Sequence, residues 1–180
     1  MVDLTRFLAV PQGGAQPSPG LPGYPQSLLL HDAHARWLAA RLAAEMPSWS
    51  DLRPHIPDSL RAHAILFEVQ PEPLDFRYLE IGSHLLAISN ADHTGRLMSE
   101  LAHQRPPSKI WDHFTAACDA RAPIKSVLPY VGRNRDIGSV YHIVLPLADD
   151  GEIIDRLLVC VDSAPVIRLA DGTQPFTQLG

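Results

Sequence analysis

Cysteine is scarce in this chain: Cys118 and Cys160 are the two among 180 residues. They lie too far apart for a CxxC pair, so neither a zinc knuckle nor a disulfide framework is expected, and a reducing cytosol is the natural compartment. Basic charge is also short. Lys and Arg number 15 against 20 Asp and Glu, a formal net charge of -5, with no run of basic residues. That leaves no electrostatic footprint for nucleic acid. No apolar run approaches the ~20 residues that span a bilayer. The opening "MVDLTRFLAV" has one basic residue and breaks at Pro11, which does not fit a signal peptide. Motifs of hydrolytic and phosphate chemistry are absent as well. There is no GxSxG elbow and no HExxH helix, and "PQGGAQPSPG" lacks both a GK[ST] ending and a preceding strand.

What the chain does have is ordinary globular composition, with 46% hydrophobic residues, enough for one core. Residues 11 to 25 are dense in proline and glycine, which block helix and ladder formation. The organisation expected is therefore a Pro/Gly-rich arm over residues 1–30, a domain over 31–165 and a tail over 166–180.

Inside the domain, "DAHARWLAARLAAEM" (32–46) predicts a helix capped by Asp32, with Leu38, Leu42 and Met46 as its apolar stripe and Pro47 ending it. A proline-rich connection follows, with one short helical turn at Asp58 to Ala62. "HAILFEV" (63–69) and "LDFRYLEIG" (74–82) read as two strands joined by a hairpin loop. "SHLLAIS" (83–89) and "RLMSELAH" (96–103) read as short helices, and "SKIWDHFTAACDAR" (108–121) as a long one capped by Ser108. Strands are expected at 124–132, 138–147 and 153–162, joined by loops at "RNRDI" and "DDGE". Hairpin-length connections imply antiparallel pairing. Strands in runs with helices gathered between them give an α+β domain.

Two strands, a cluster of short helices, one longer helix and three antiparallel strands is the element order of a PAS domain. "FRYLEIGSHLLAISNADHTGRLMSEL" resembles a PAS core, and "VLPLADDGEIIDRLLVCVD" resembles the closing hairpin of such domains. "EMPSWSDLRPHIP", with Pro47, Ser48, Asp51 and Pro54, resembles the segment before the first strand in short stand-alone bacterial PAS-like proteins. The resemblance covers roughly residues 33 to 163. It implies a five-stranded antiparallel sheet with helices on one face and an N-terminal flanking helix. It also implies a non-enzymatic, cytoplasmic sensory or adaptor module in bacterial signalling. Such a module contacts a regulatory protein partner, is homodimeric, and binds neither nucleic acid nor membrane. No cofactor is expected, with haem or a small metabolite as the ligand-binding alternative. Gly82-Ser83 replaces the Gly-Thr of many members, and serine keeps the capping hydroxyl.

Candidate chemistry is sparse. The "DHTG" stretch at 92–95 crowds a carboxylate, an imidazole and a hydroxyl together, but neighbours in a turn diverge, so capping is the expected role. His31 and His34 lack further ligands for a metal. His113 sits at one edge of the buried face set by Ile110, Phe114, Ala117 and Cys118, with Trp111 at the other edge. Some haem-binding members of the family take their axial histidine from this helix. Flavin photochemistry needs a cysteine on the short helices, and "NADHTGRL" has none. In the fourth strand the row Tyr141, Ile143, Leu145, Leu147 is the more apolar and is expected to face the pocket. Val140, His142, Val144 and Pro146 would then lie under the N-terminal helix. The pocket candidates are Trp111, His113, Phe114 and Tyr141. An enzyme on another α+β fold is the remaining alternative, and it would need a polar dyad inside a cleft.

Overall fold

The computed structural model describes residues 27–42, 44–89, 91–129 and 137–165. The arm before residue 27, residues 130–136 (the end of the strand expected at 124–132 and most of the "RNRDI" loop) and the tail from residue 166 lie outside those residues. Helices α1 (Leu28–Ala40), α2 (Trp49–Leu52) and α3 (Asp58–Arg61) come first, followed by strands β1 (Ala64–Pro71) and β2 (Leu74–Ile81). Helix α4 (Ser83–Ser89), a 3-10 turn at Met98–Glu100 and helix α5 (Lys109–Ala120) lead into β3 (Ile124–Pro129), β4 (Ile137–Leu147) and β5 (Arg156–Pro165). The described strands form one five-stranded antiparallel sheet in the order β2-β1-β5-β4-β3. This is the α+β, PAS-like architecture the resemblance implies.

The N-terminal helix differs from its prediction in three ways, the first being that it ends at Ala40, well before Met46 and Pro47. It starts at Leu28 with Ser27 as its cap, not at Asp32, and the Ser27 hydroxyl accepts from the Leu30 amide at 3.2 Å. That hydroxyl also donates to Asp162 on β5 at 2.8 Å, which fixes the helix start to the sheet. The buried stripe is Leu30, Ala33, Trp37 and Ala40, whereas Leu38 is 46% and Leu42 88% exposed. Trp37 decides the rotation: it is 1% exposed, and its indole N–H donates to the Pro146 carbonyl at 2.7 Å. A buried ring of that size with its one polar atom satisfied outweighs a leucine row.

The last strand begins three residues later than expected. Asp150 Oδ1 accepts the amides of Glu152 and Ile153 at 2.9 and 2.7 Å, so the chain turns locally and leaves Ile153 70% exposed. Pairing resumes at Leu147 opposite Arg156. Helix α4 occupies the predicted residues 83–89, and Ser108 caps α5 as expected, accepting from Trp111 N–H at 3.3 Å. The longer helix expected at 96–103 is the 3-10 turn Met98–Glu100. Gly82 has a steric reason: a Cβ there would sit 2.3 Å from the carbonyl oxygens of both Arg61 and Ala62.

The sheet is buried on both faces. One face presents Ala64, Leu66, Ile143, Leu145, Leu147, Leu158 and Cys160 to α1 and the α2–α3 segment. The other presents Phe67, Val144, Leu157 and Val159 to α5 and the 3-10 turn.

Candidate functional site: the interface between α5 and the sheet

Helix α5 lies against β3 and β4. Its inward residue Phe114 is 1% exposed and meets Phe67 edge-on at 4.9 Å and Phe76 at 5.1 Å. Trp111 packs edge-on against Phe76 at 5.2 Å, and Phe67 tilts against Tyr78 at 4.4 Å. Edge-to-face rings at these separations attract through their quadrupoles beyond simple area burial. Met98 and Leu101 complete the cluster. Tyr78 donates its hydroxyl to Gln104, and burial pushes that phenol up to about 12. Interlocking side chains fill the β1–β2 end of this interface.

A different chemistry occupies the β3–β4 end. Ser126 and His142 are cross-strand partners on one face, and α5 sets His113 above them. The Nδ1 of His113 lies 3.2 Å from Nε2 of His142, and Nε2 of His113 lies 3.3 Å from the Ser126 hydroxyl. A hydrogen bond between the two rings requires one of the facing nitrogens to carry the proton and the other to accept it. His142 is 2% exposed. Burial, and then the nearby His113, pushes its imidazole down to about 3. Burial also lowers His113; Asp112 opposes this shift and Lys109 adds to it. Both rings are therefore neutral at pH 7. They join α5 to β3 and β4 through a polar chain of side chains inside an apolar interface.

Three of the four pocket candidates, Trp111, His113 and Phe114, lie on this side of the sheet. Tyr141 does not. It packs with the cluster under α1, together with Ile143, Leu145 and Leu147. The row expected inside is thus the α1 row, and His142, expected outside, faces α5. The greater apolarity of the Tyr141 row misled because both faces are covered, so hydrophobic contrast no longer marks the pocket side. The available signal was His142 itself, a lone imidazole in an otherwise aliphatic row.

The residues around His113 do not fit a haem macrocycle. Both ring nitrogens already face protein partners, and aromatic side chains in mutual contact take up the neighbouring space. The "DHTG" stretch is a tether. Thr94 N–H donates to Asp92 Oδ1 at 2.9 Å, and Gly95 takes a positive φ of 83°. Gly95 N–H donates to the Tyr78 carbonyl at 2.8 Å, and Tyr78 N–H to the Arg96 carbonyl at 3.0 Å. The turn thereby pairs with β2 along the sheet edge, where unpaired backbone groups would otherwise be open. The His93 ring lies 5.7 Å from the Tyr78 ring. Among the described residues no three His, Cys, Asp or Glu side chains are grouped to hold a metal.

No family model and no curated protein matches the chain. Among solved structures it is similar to a sensory box sensor histidine kinase from Vibrio cholerae, at 17% identity and a TM-score of 0.43, over 64% of this chain and 94% of that one. It is also similar to a fungal LOV domain photoreceptor, at 15% identity and a TM-score of 0.39, over 57% and 76% of the two chains. Neither likeness bears weight at that level, and the functional reading rests on the geometry above. No described helix is long and apolar enough to cross a membrane.

Proposed function

We propose that this chain is a non-enzymatic sensory or adaptor module of bacterial signal transduction, acting in the cytoplasm through protein–protein contact as a homodimer. The observation that carries the reading is the outer side of α1. Leu28, His31, Ala35 and Leu38 are all exposed on α1 at spacings of three and four residues, and Leu42, just past the helix end, is exposed as well. Leu28, Leu38 and Leu42 are 83%, 46% and 88% exposed. Single exposed leucines need no explanation, but a row at heptad spacing along one helix is the seam a partner helix packs into. The opposite side of the same helix carries Trp37 and grips β4, so a partner bound to the outer row would act directly on the sheet.

The PAS-like element order supports a sensory role, and the filled β1–β2 end of the α5 interface supports contact over a large enclosed ligand. Size-exclusion chromatography with light scattering tests the reading. A dimer that Leu38→Lys converts to a monomer is the expected result. A wild-type chain that stays monomeric at high concentration would rule it out.

A further inference from the structure

A cleft of about 310 Å3 opens on the sheet face away from α5, between the α2–α3 segment and strands β1 and β2. Buried Ala64, Leu66 and Leu158 form its floor, and Trp49 and Ile56 its walls. Its rim carries Asp58, Arg61 and Glu80, all exposed. Some charged side chains elsewhere pair, such as Asp32 with Arg36, Glu68 with Arg77, Glu100 with Arg96 and Glu45 with Arg121. At this rim the three side chains make no ion pair or hydrogen bond among the described residues, although Asp58 and Arg61 stand three apart on α3. One guanidinium and two carboxylates thus stand unpaired around an apolar floor.

We propose that this cleft binds a small apolar α-amino acid in its zwitterionic form. The Arg61 guanidinium suits the α-carboxylate, because its planar fork matches a carboxylate with two parallel hydrogen bonds. Asp58 and Glu80 suit the α-ammonium. Leu66, Leu158 and Ile56 offer the aliphatic side chain an apolar surface to leave water for. Size narrows the class. The volume is at the small end of the roughly 300–1,000 Å3 of ligand pockets, which suits a leucine-sized molecule better than a nucleotide or flavin. The mixed rim narrows it further: a simple carboxylate meets two like charges, and a simple amine meets the guanidinium. Gly82 shapes the site, since its missing Cβ lets the Arg61 and Ala62 carbonyls close against the start of α4.

The test is a methyl NMR titration of the full chain with L-leucine, 4-methylpentanoate and 3-methylbutylamine, following Ile56, Leu66 and Leu158. L-leucine is expected to give saturable shifts at these methyls, with the two single-headed analogues weaker by about tenfold or more. Arg61→Gln should weaken leucine by a similar factor and leave the amine unchanged or improve it, and Glu80→Gln should leave the carboxylate unchanged or improve it. Both positions are exposed, so the fold tolerates the changes. The absence of saturable shifts with leucine, equal binding of all three compounds, or indifference to Arg61→Gln would each overturn the proposal. The inference goes beyond the dimer reading, which is scored by mass rather than by these shifts, so either can fail without the other.

Discussion

The two faces of the sheet are made by the same strands yet solve burial differently. Under α1 the contacts are mostly aliphatic, with Trp37 the fully buried large ring and its single N–H spent on a β4 carbonyl. Under α5 they are aromatic at one end and imidazole at the other. Along β4, Tyr141 and Ile143 belong to the first face and His142 and Val144 to the second. Among the described residues, the titratable group in the aliphatic core is the Cys160 thiol, which burial pushes up to about 12, so acid leaves it neutral. The α5 face buries an imidazole that must stay neutral. Acid therefore discriminates between two faces that truncation treats alike.

The largest effects come from removing the anchor of each face. Phe114→Ala is expected to cost about 3–5 kcal/mol, the usual range for deleting a buried ring. Trp37→Ala should cost at least as much, because it also leaves the Pro146 carbonyl without its donor. Chemical denaturation measures both. The sheet separates the two rings, so the double variant should be additive within about 0.5 kcal/mol. A larger coupling would mean that the faces are not independent.

Acid is expected to act next in size. His142 titrates at about 3 in the folded chain against an ordinary 6.5. Between those values the unfolded chain binds more protons, so stability is full above pH 6.5 and falls as the pH drops, levelling near pH 3. At pH 5 the loss from this group is about 2 kcal/mol. His142→Gln, whatever its cost at neutral pH, should flatten that slope in denaturation curves taken at several pH values.

Two small effects sharpen the contrast at the surface. Leu42 takes a positive φ of 48° just past α1. Leu42→Gly should therefore raise monomer stability by about 0.5–1 kcal/mol, while weakening any contact made by the leucine row. Glu45→Ala removes the exposed ion pair to Arg121, itself left-handed at φ 52° after α5, and should change stability by less than about 1 kcal/mol.

Much of the fold was legible because local chemistry and tertiary structure agree. Ser108 caps α5, α4 fills residues 83–89, and the first hairpin closes at its prolines. The errors fall where a distant contact outvoted a local pattern. Leucine rows at 38 and 42 lost to Trp37, whose partner lies 109 residues away. The start of β5 was hidden by an Asp150 turn that captures two amides. The site was half legible. His113 and Phe114 stood out on α5, but His142 and Ser126 join them only through the β3–β4 register, which alternation alone does not fix when both faces are buried.

The central claim is that His142 lies neutral under α5, hydrogen-bonded to His113. Imidazole 15N NMR through an acid titration tests it most directly. The account predicts that the His142 nitrogens keep neutral-ring shifts well below pH 5, with the ring protonating near pH 3 or when the fold is lost. It also predicts that His113 titrates below the ordinary histidine value in the same series. A His142 that titrates freely near pH 6.5 in the folded protein would contradict the account.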